Sequence, residues 1–108
     1  MEKDSTQYGV VMVTAASRRE AETIAKALLE AKLAACITLL PVQSIYTWQG
    51  KVEQNEEWQL LIKTNLTHFS ALEAKVREIH SYQVPEIIAL PIVAGSEPYL
   101  QWIAENVR

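Results

Sequence analysis

The sequence predicts an α+β sandwich, with elements in the order β-α-β-β-α-β and a closing helix. Three observations lead there. A β-branched apolar run stands near the head of the chain, two stretches with one-sided apolar spacing follow at helical intervals, and a long strand-turn-strand sequence lies between them. The chain has 108 residues, 49% of them apolar and 21% charged, so these pieces are expected to share one core in one domain.

Residues 1–7 are polar and without period and are expected to be a flexible tail, leaving residues 8–108 as the domain. "YGVVMVTA" from Tyr8 is apolar without alternation, the mark of a strand covered on both faces. Ser17 with Glu20 three residues on forms a capping box, opening a helix whose stripe is Ala21, Ile24, Ala25, Leu28 and Leu29. From Leu33 to Gln49 the residues favour a strand, expected to break at Pro41, and Gly50 turns the chain into a third strand that ends with "WQLLIKT". Seventeen extended residues would reach roughly 55 Å, against a radius of gyration of ~13 Å for a domain of about this size, so the hairpin must bend or protrude. A protruding arm carrying Ile45, Tyr46, Trp48 and Val52 would leave aromatic and aliphatic surface for a second copy of the chain to cover. Asn65 and Thr67 are caps for a helix with the stripe Phe69, Leu72, Val76 and Ile79, running to about His80. "PEIIALPIV" is the fourth strand, placed at an edge by Pro91, and Ser96 opens the last helix. The whole is the ferredoxin-like split βαβ arrangement.

A net charge of -3 and no run of Lys or Arg argue against nucleic acid as a partner. No apolar run approaches the ~20 residues of a membrane span, and the N-terminus has no signal-peptide core, so no membrane is expected and the location is expected to be cytoplasmic. The one cysteine, Cys36, has no intrachain partner and suits a reducing compartment.

The candidate chemistry centres on "HSYQVPE", residues 80–86. His80 falls at a helix end, where the helix dipole favours an imidazolium for structural reasons alone, and Pro85 is enough to start a strand. Cys36 is a small core residue or a soft metal ligand. Glu53, Glu56 and Glu57 read as a solvated turn after Gly50, and Lys63 with Thr64 reads as an edge shield or an anion contact. No C-x-x-C, H-x-x-x-H, phosphate loop or nucleophile motif is present, so a conventional enzyme is not expected.

The segments "KLAACITLLPVQSIYTWQGKVE" (32–53), "EEWQLLIKT" (56–64) and "HSYQVPEIIALPI" (80–92) together resemble the CutA divalent-cation tolerance proteins, over Tyr8 to Ile103. S-I-Y-x-W-x-G combined with H-x-Y-x-V-P-E is specific. The resemblance implies a ferredoxin-like fold of PII-like architecture, a homotrimer, no enzymatic activity, and a role in tolerance of copper and other divalent metals. Where the family pattern usually reads H-P-Y-E-V-P-E, this chain has Ser81 and Gln83, one carboxylate fewer. Carried onto this chain, the resemblance makes His80, Cys36 and Glu86 candidate metal ligands. It makes Tyr46, Trp48, Glu57, Lys63, Thr64, Tyr82 and Pro85 candidate cleft residues. No tightly bound cofactor is expected. Weak copper(II) binding at His80 is expected to fade below about pH 6.5, where an imidazole loses its lone pair to a proton. The alternative is a PII-like signalling protein that holds a small anion in an inter-subunit cleft through Lys63. An acid-base role for His80 and Tyr82 is the third reading.

Overall fold

The computed structural model describes residues 7–108, so all of the expected tail except Gln7 lies outside the described residues. β1 is Tyr8–Ala15, the run read from its β-branched residues. It sits inside a sheet of order β2-β3-β1-β4 and pairs antiparallel with both neighbours. Val11, Val13 and Ala15 are fully buried on one face, while Tyr8 and Thr14 are buried on the other. An unalternating sequence is what such a two-sided strand needs.

α1 is Arg18–Glu30. The Glu20 N–H donates to Ser17 Oγ at 3.1 Å, but the Glu20 carboxylate reaches the Ala16 N–H at 3.1 Å, one residue before the cap. Ala21, Ile24, Ala25 and Leu28 are buried, whereas Leu29 is exposed. One residue past Leu28 turns about 100° around the helix, which carries Leu29 off the buried face. Residues 31–35 close the helix instead of beginning the next strand: Lys32 takes a positive φ of 63°, and the Leu33 N–H donates to Leu28 O at 3.0 Å.

β2 (Cys36–Trp48) and β3 (Lys51–Asn65) form one long hairpin, turned by Gln49 and Gly50 at φ 52° and 79°. Positive φ at both central residues matches the right-handed twist of the flanking strands. Pro41 does not break the strand as expected; it pairs opposite Trp58 within the ladder. β2 is an edge strand, and a residue without an N–H is tolerated where one side of the backbone has no partner. The arm protrudes, giving the chain extents of 50 × 25 × 22 Å.

Asn65 caps a 3-10 turn at Leu66–His68, which leads into α2 (Phe69–Ile79). Leu72 and Val76 of α2 join α1 over the face made by Val11, Val13, Leu60 and Ile62, forming the main core. β4 (Ile87–Pro91) is the other edge, and α3 (Glu97–Asn106) follows. Ile103 of α3 and Val107 pack on Tyr8, which by strand alternation lies on the sheet face opposite α1 and α2. α3 covers only one end of that second face. Ile88 and Leu90 remain exposed there, in register with Met12 and Val10.

Candidate functional site

β1 stops at Ala15, opposite Trp58, while β3 and β2 run on into the arm. At that fork the β1–α1 loop, the base of the arm and the α2–β4 loop meet. Residues 16–18, 41–43 and 56–58 enclose an open cleft of about 620 Å³.

"HSYQVPE" is fastened to this fork by hydrogen bonds between residues distant in sequence. His80 caps α2 with its backbone N–H on Val76 O at 2.9 Å. Its ring turns inward with 0% side-chain exposure. Nδ1 accepts from the Tyr82 N–H at 3.0 Å, so Nε2 carries the proton and donates to Thr14 O at 2.7 Å. Glu20 Oε2 accepts from the Ser81 N–H at 2.7 Å and lies 3.7 Å from His80 Nδ1. Burial acts to raise the Glu20 carboxyl, but hydrogen bonds from the Ser81 and Ala16 backbone outweigh it and hold it below its ordinary value. Tyr82 packs on the His80 ring, centroids 4.8 Å apart, and its hydroxyl donates to Glu57 Oε2 at 2.6 Å. Burial first, then the Glu57 carboxylate, push the Tyr82 phenol well above its ordinary 10.0.

The Tyr82 shift has a sign that can be measured. The folded chain holds this proton more tightly than the unfolded chain, so the stabilisation is complete below about pH 10 and is lost progressively as the pH rises from there toward the higher value of the folded phenol. The urea midpoint of the wild type is therefore expected to fall more steeply between pH 9 and 11 than that of Tyr82→Phe. Parallel profiles would show that Tyr82 carries no such linkage.

Of the expected cleft residues, the structure brings Glu57 and Tyr82 together. Glu57 is not part of a solvated turn: it lies within β3 and is only 6% exposed. Tyr46 and Trp48 lie further out on the arm, where Tyr46 OH contacts the Asn55 amide. Pro85 stands just before β4, half-buried. Lys63 and Thr64 are elsewhere, on the β3 rungs opposite Val10 and Gly9. Lys63 Nζ donates to Thr38 Oγ1 at 2.8 Å, and Thr64 is fully buried with its hydroxyl on Leu33 O at 2.7 Å. Thr64 is a structural hydroxyl there, buried and donating to a backbone carbonyl.

The expected metal ligands do not form a chelating set. Both His80 nitrogens are engaged with backbone groups, which leaves no lone pair for a metal and no base for acid-base chemistry. Cys36 pairs opposite Lys63, four β1 rungs from Thr14 where His80 is anchored, a separation of about 13 Å along the strand. Its thiol neighbours Tyr99, whose phenol is raised by burial and by Cys36. Glu86 is exposed. Among the described residues no group of three or more His, Cys, Asp or Glu is placed to hold an ion.

Sequence spacing missed Glu20, Thr14 and Arg18. Ser81 binds Glu20 across 61 positions and His80 binds Thr14 across 66, separations that leave no local pattern. Arg18 lies over the Trp58 ring at 5.6 Å and pairs with Glu22 at 3.1 Å.

A family model described as CutA1 divalent ion tolerance protein matches residues 9–106. The divalent-cation tolerance protein CutA of Thermus thermophilus is 49% identical over 98 residues, covering 90% of this chain and 95% of that protein. Among solved structures, CutA1 from Oryza sativa superposes with a TM-score of 0.93 at 37% identity, covering 98% of each chain. The periplasmic divalent cation tolerance protein CutA from Archaeoglobus fulgidus gives 0.92 at 42%, covering 94% of this chain and 99% of that one.

Proposed function

The chain belongs to the CutA1 divalent ion tolerance family, and from that premise we propose that it serves tolerance of divalent cations, copper among them, as a homotrimer that binds such ions weakly. The observation that carries the assembly is the arm. Ile45 and Val52 are 68% and 77% exposed, and Tyr46 and Trp48 are also exposed, more apolar surface than a lone subunit keeps in water. The uncovered strip of Ile88 and Leu90 beside Met12 adds to it. The number three comes from the family resemblance. Weak binding follows from the absence, among the described residues, of any three-donor cluster, since single exposed donors hold even copper(II), the strongest competitor of the common divalent ions, only loosely. The names of the relatives are those of tolerance proteins and not of enzymes.

The test is growth of a bacterial host deleted for its own family member, with and without this chain, across a copper gradient. The chain is expected to raise the copper concentration tolerated; identical curves would overturn the reading. Calorimetric titration of the purified protein with copper(II) is expected to give weak heats without a stoichiometric break, and a sharp one-to-one transition would contradict weak binding.

A further inference from the structure

We propose that the His80 ring is an acid-operated latch: a proton taken up at Nδ1 exchanges the ring's hold on the 80–86 loop for a hold on α1, and so loosens that loop from the base of the arm. The device goes beyond cation tolerance and does not depend on it. It rests on two opposed groups that meet at one nitrogen. Nδ1 accepts from the Tyr82 N–H at 3.0 Å, and Glu20 Oε2 lies 3.7 Å from the same atom. The first partner needs a lone pair on Nδ1, whereas the second can bond only to a proton there. Nε2 donates to Thr14 O at 2.7 Å in either state, so the ring stays on β1 while its other nitrogen changes partners.

The groups around the ring suit its charged form as well as its neutral one. A buried imidazolium needs an opposite charge close by and an acceptor for each N–H. α1 supplies both in Glu20, whose carboxyl is held below its ordinary value and so stays ionised where an imidazole titrates. α2 ends at His80, where the helix dipole favours a cation. β1 presents only the Thr14 carbonyl, without charge. The loop presents Tyr82, whose phenol is pushed up and remains neutral, and β3 presents Glu57 beyond that hydroxyl. Arg77 and Glu78, the charged residues of the last turn of α2, are exposed, where water and salt screen them.

With the proton on Nδ1, the Tyr82 N–H faces another donor and its bond to the ring is lost. That bond sets the backbone from which Tyr82 stacks on the ring, centroids 4.8 Å apart, and reaches Glu57 with its hydroxyl. Both contacts therefore loosen together. Ser81 behaves differently, because its N–H binds Glu20 Oε2 and not the ring. Opening thus begins at Tyr82 and leaves Ser81 fastened to α1.

The experiment follows the full-length assembled protein by NMR from about pH 8 to about pH 4.5, the range that brackets imidazole titration. The His80 ring nitrogens report the proton, and hydrogen exchange of the Tyr82 and Ser81 amides, corrected for its intrinsic pH dependence, reports the loop. Tyr82 protection is expected to fall at least about tenfold in the same reversible step that protonates Nδ1, while Ser81 stays within about threefold. Glu20→Gln keeps an acceptor oxygen but removes the charge, and is expected to move the step at least about one pH unit lower. His68→Ala is expected to leave the step in place and identifies the ring signals of His80. Thermal melts check that the variants fold, and the wild-type titration decides the matter without them. A His80 ring that stays neutral until the whole chain unfolds would overturn the proposal. So would a Tyr82 amide that keeps its protection while His80 takes up its proton, or a folded Glu20→Gln whose step does not move.

Discussion

In sedimentation velocity at micromolar concentration the wild-type chain is expected to run as a single species of three protomers' mass, and Ile45→Asp/Val52→Asp as a smaller one. The register explains the choice of sites. Ile45 pairs with Gln54 and Val52 with Thr47, so both side chains lie on one face of the ribbon. Tyr46 opposite Glu53 and Trp48 opposite Lys51 lie on the other. A ribbon that is apolar on both faces is covered only when it lies between two other elements. In a closed ring of three, each arm can meet both neighbours; in a dimer it meets one. Each large apolar side chain covered in this way contributes roughly 1.5–3 kcal/mol, and an aspartate in its place adds the cost of desolvating a charge. Trp48→Ala alone is expected to weaken assembly by about 2 kcal/mol or more, while Glu53→Ala changes it by less than about 0.5 kcal/mol. A stable wild-type monomer, or equal small effects from Trp48→Ala and Glu53→Ala, would remove the arm as the interface.

How much of this was legible in the sequence depends on the range of the interaction that decides each feature. β1 was readable to the residue because an unalternating β-branched run has few other uses. The buried stripe of α1 was readable except at Leu29, since 3.6-residue periodicity specifies a face but not its rim. Pro41 misled because the rule against proline in strands applies to central strands, and β2's edge position is a fact of topology. Glu57 misled more. In sequence it belongs to a group of glutamates after a glycine, which ordinarily means solvent, whereas in the fold it is buried and accepts from the hydroxyl of Tyr82, 25 residues on. "HSYQVPE" was recognisable as a unit from its residue types, but its role depends on Glu20 and Thr14, to which no spacing points. The motif drew attention to His80 as a ligand, and the structure has made it a brace.

That difference carries the largest single-residue effect expected in the molecule. His80→Ala is expected to lower stability by roughly 3–5 kcal/mol in urea unfolding at fixed protomer concentration. The substitution deletes a fully buried ring, leaving a cavity beside Tyr82, and it strips the Thr14 carbonyl and the Tyr82 N–H of their partners. The loss should also spread, because the ring holds the loop whose Tyr82 hydroxyl reaches Glu57 at the base of the arm. His68 is the internal control: it stands ahead of α2 and makes no capping hydrogen bond with its side chain, so His68→Ala is expected to change stability by less than about 0.5 kcal/mol. Copper separates the two roles that a histidine could have here. With both nitrogens committed to backbone groups, His80 contributes nothing to copper(II) affinity in the folded chain. The milder His80→Asn, assayed under conditions where it remains folded, is therefore expected to bind copper as the wild type does. A variant that keeps wild-type stability and loses copper binding would make His80 a ligand after all, and the hydrogen bonds to Thr14 and Tyr82 incidental.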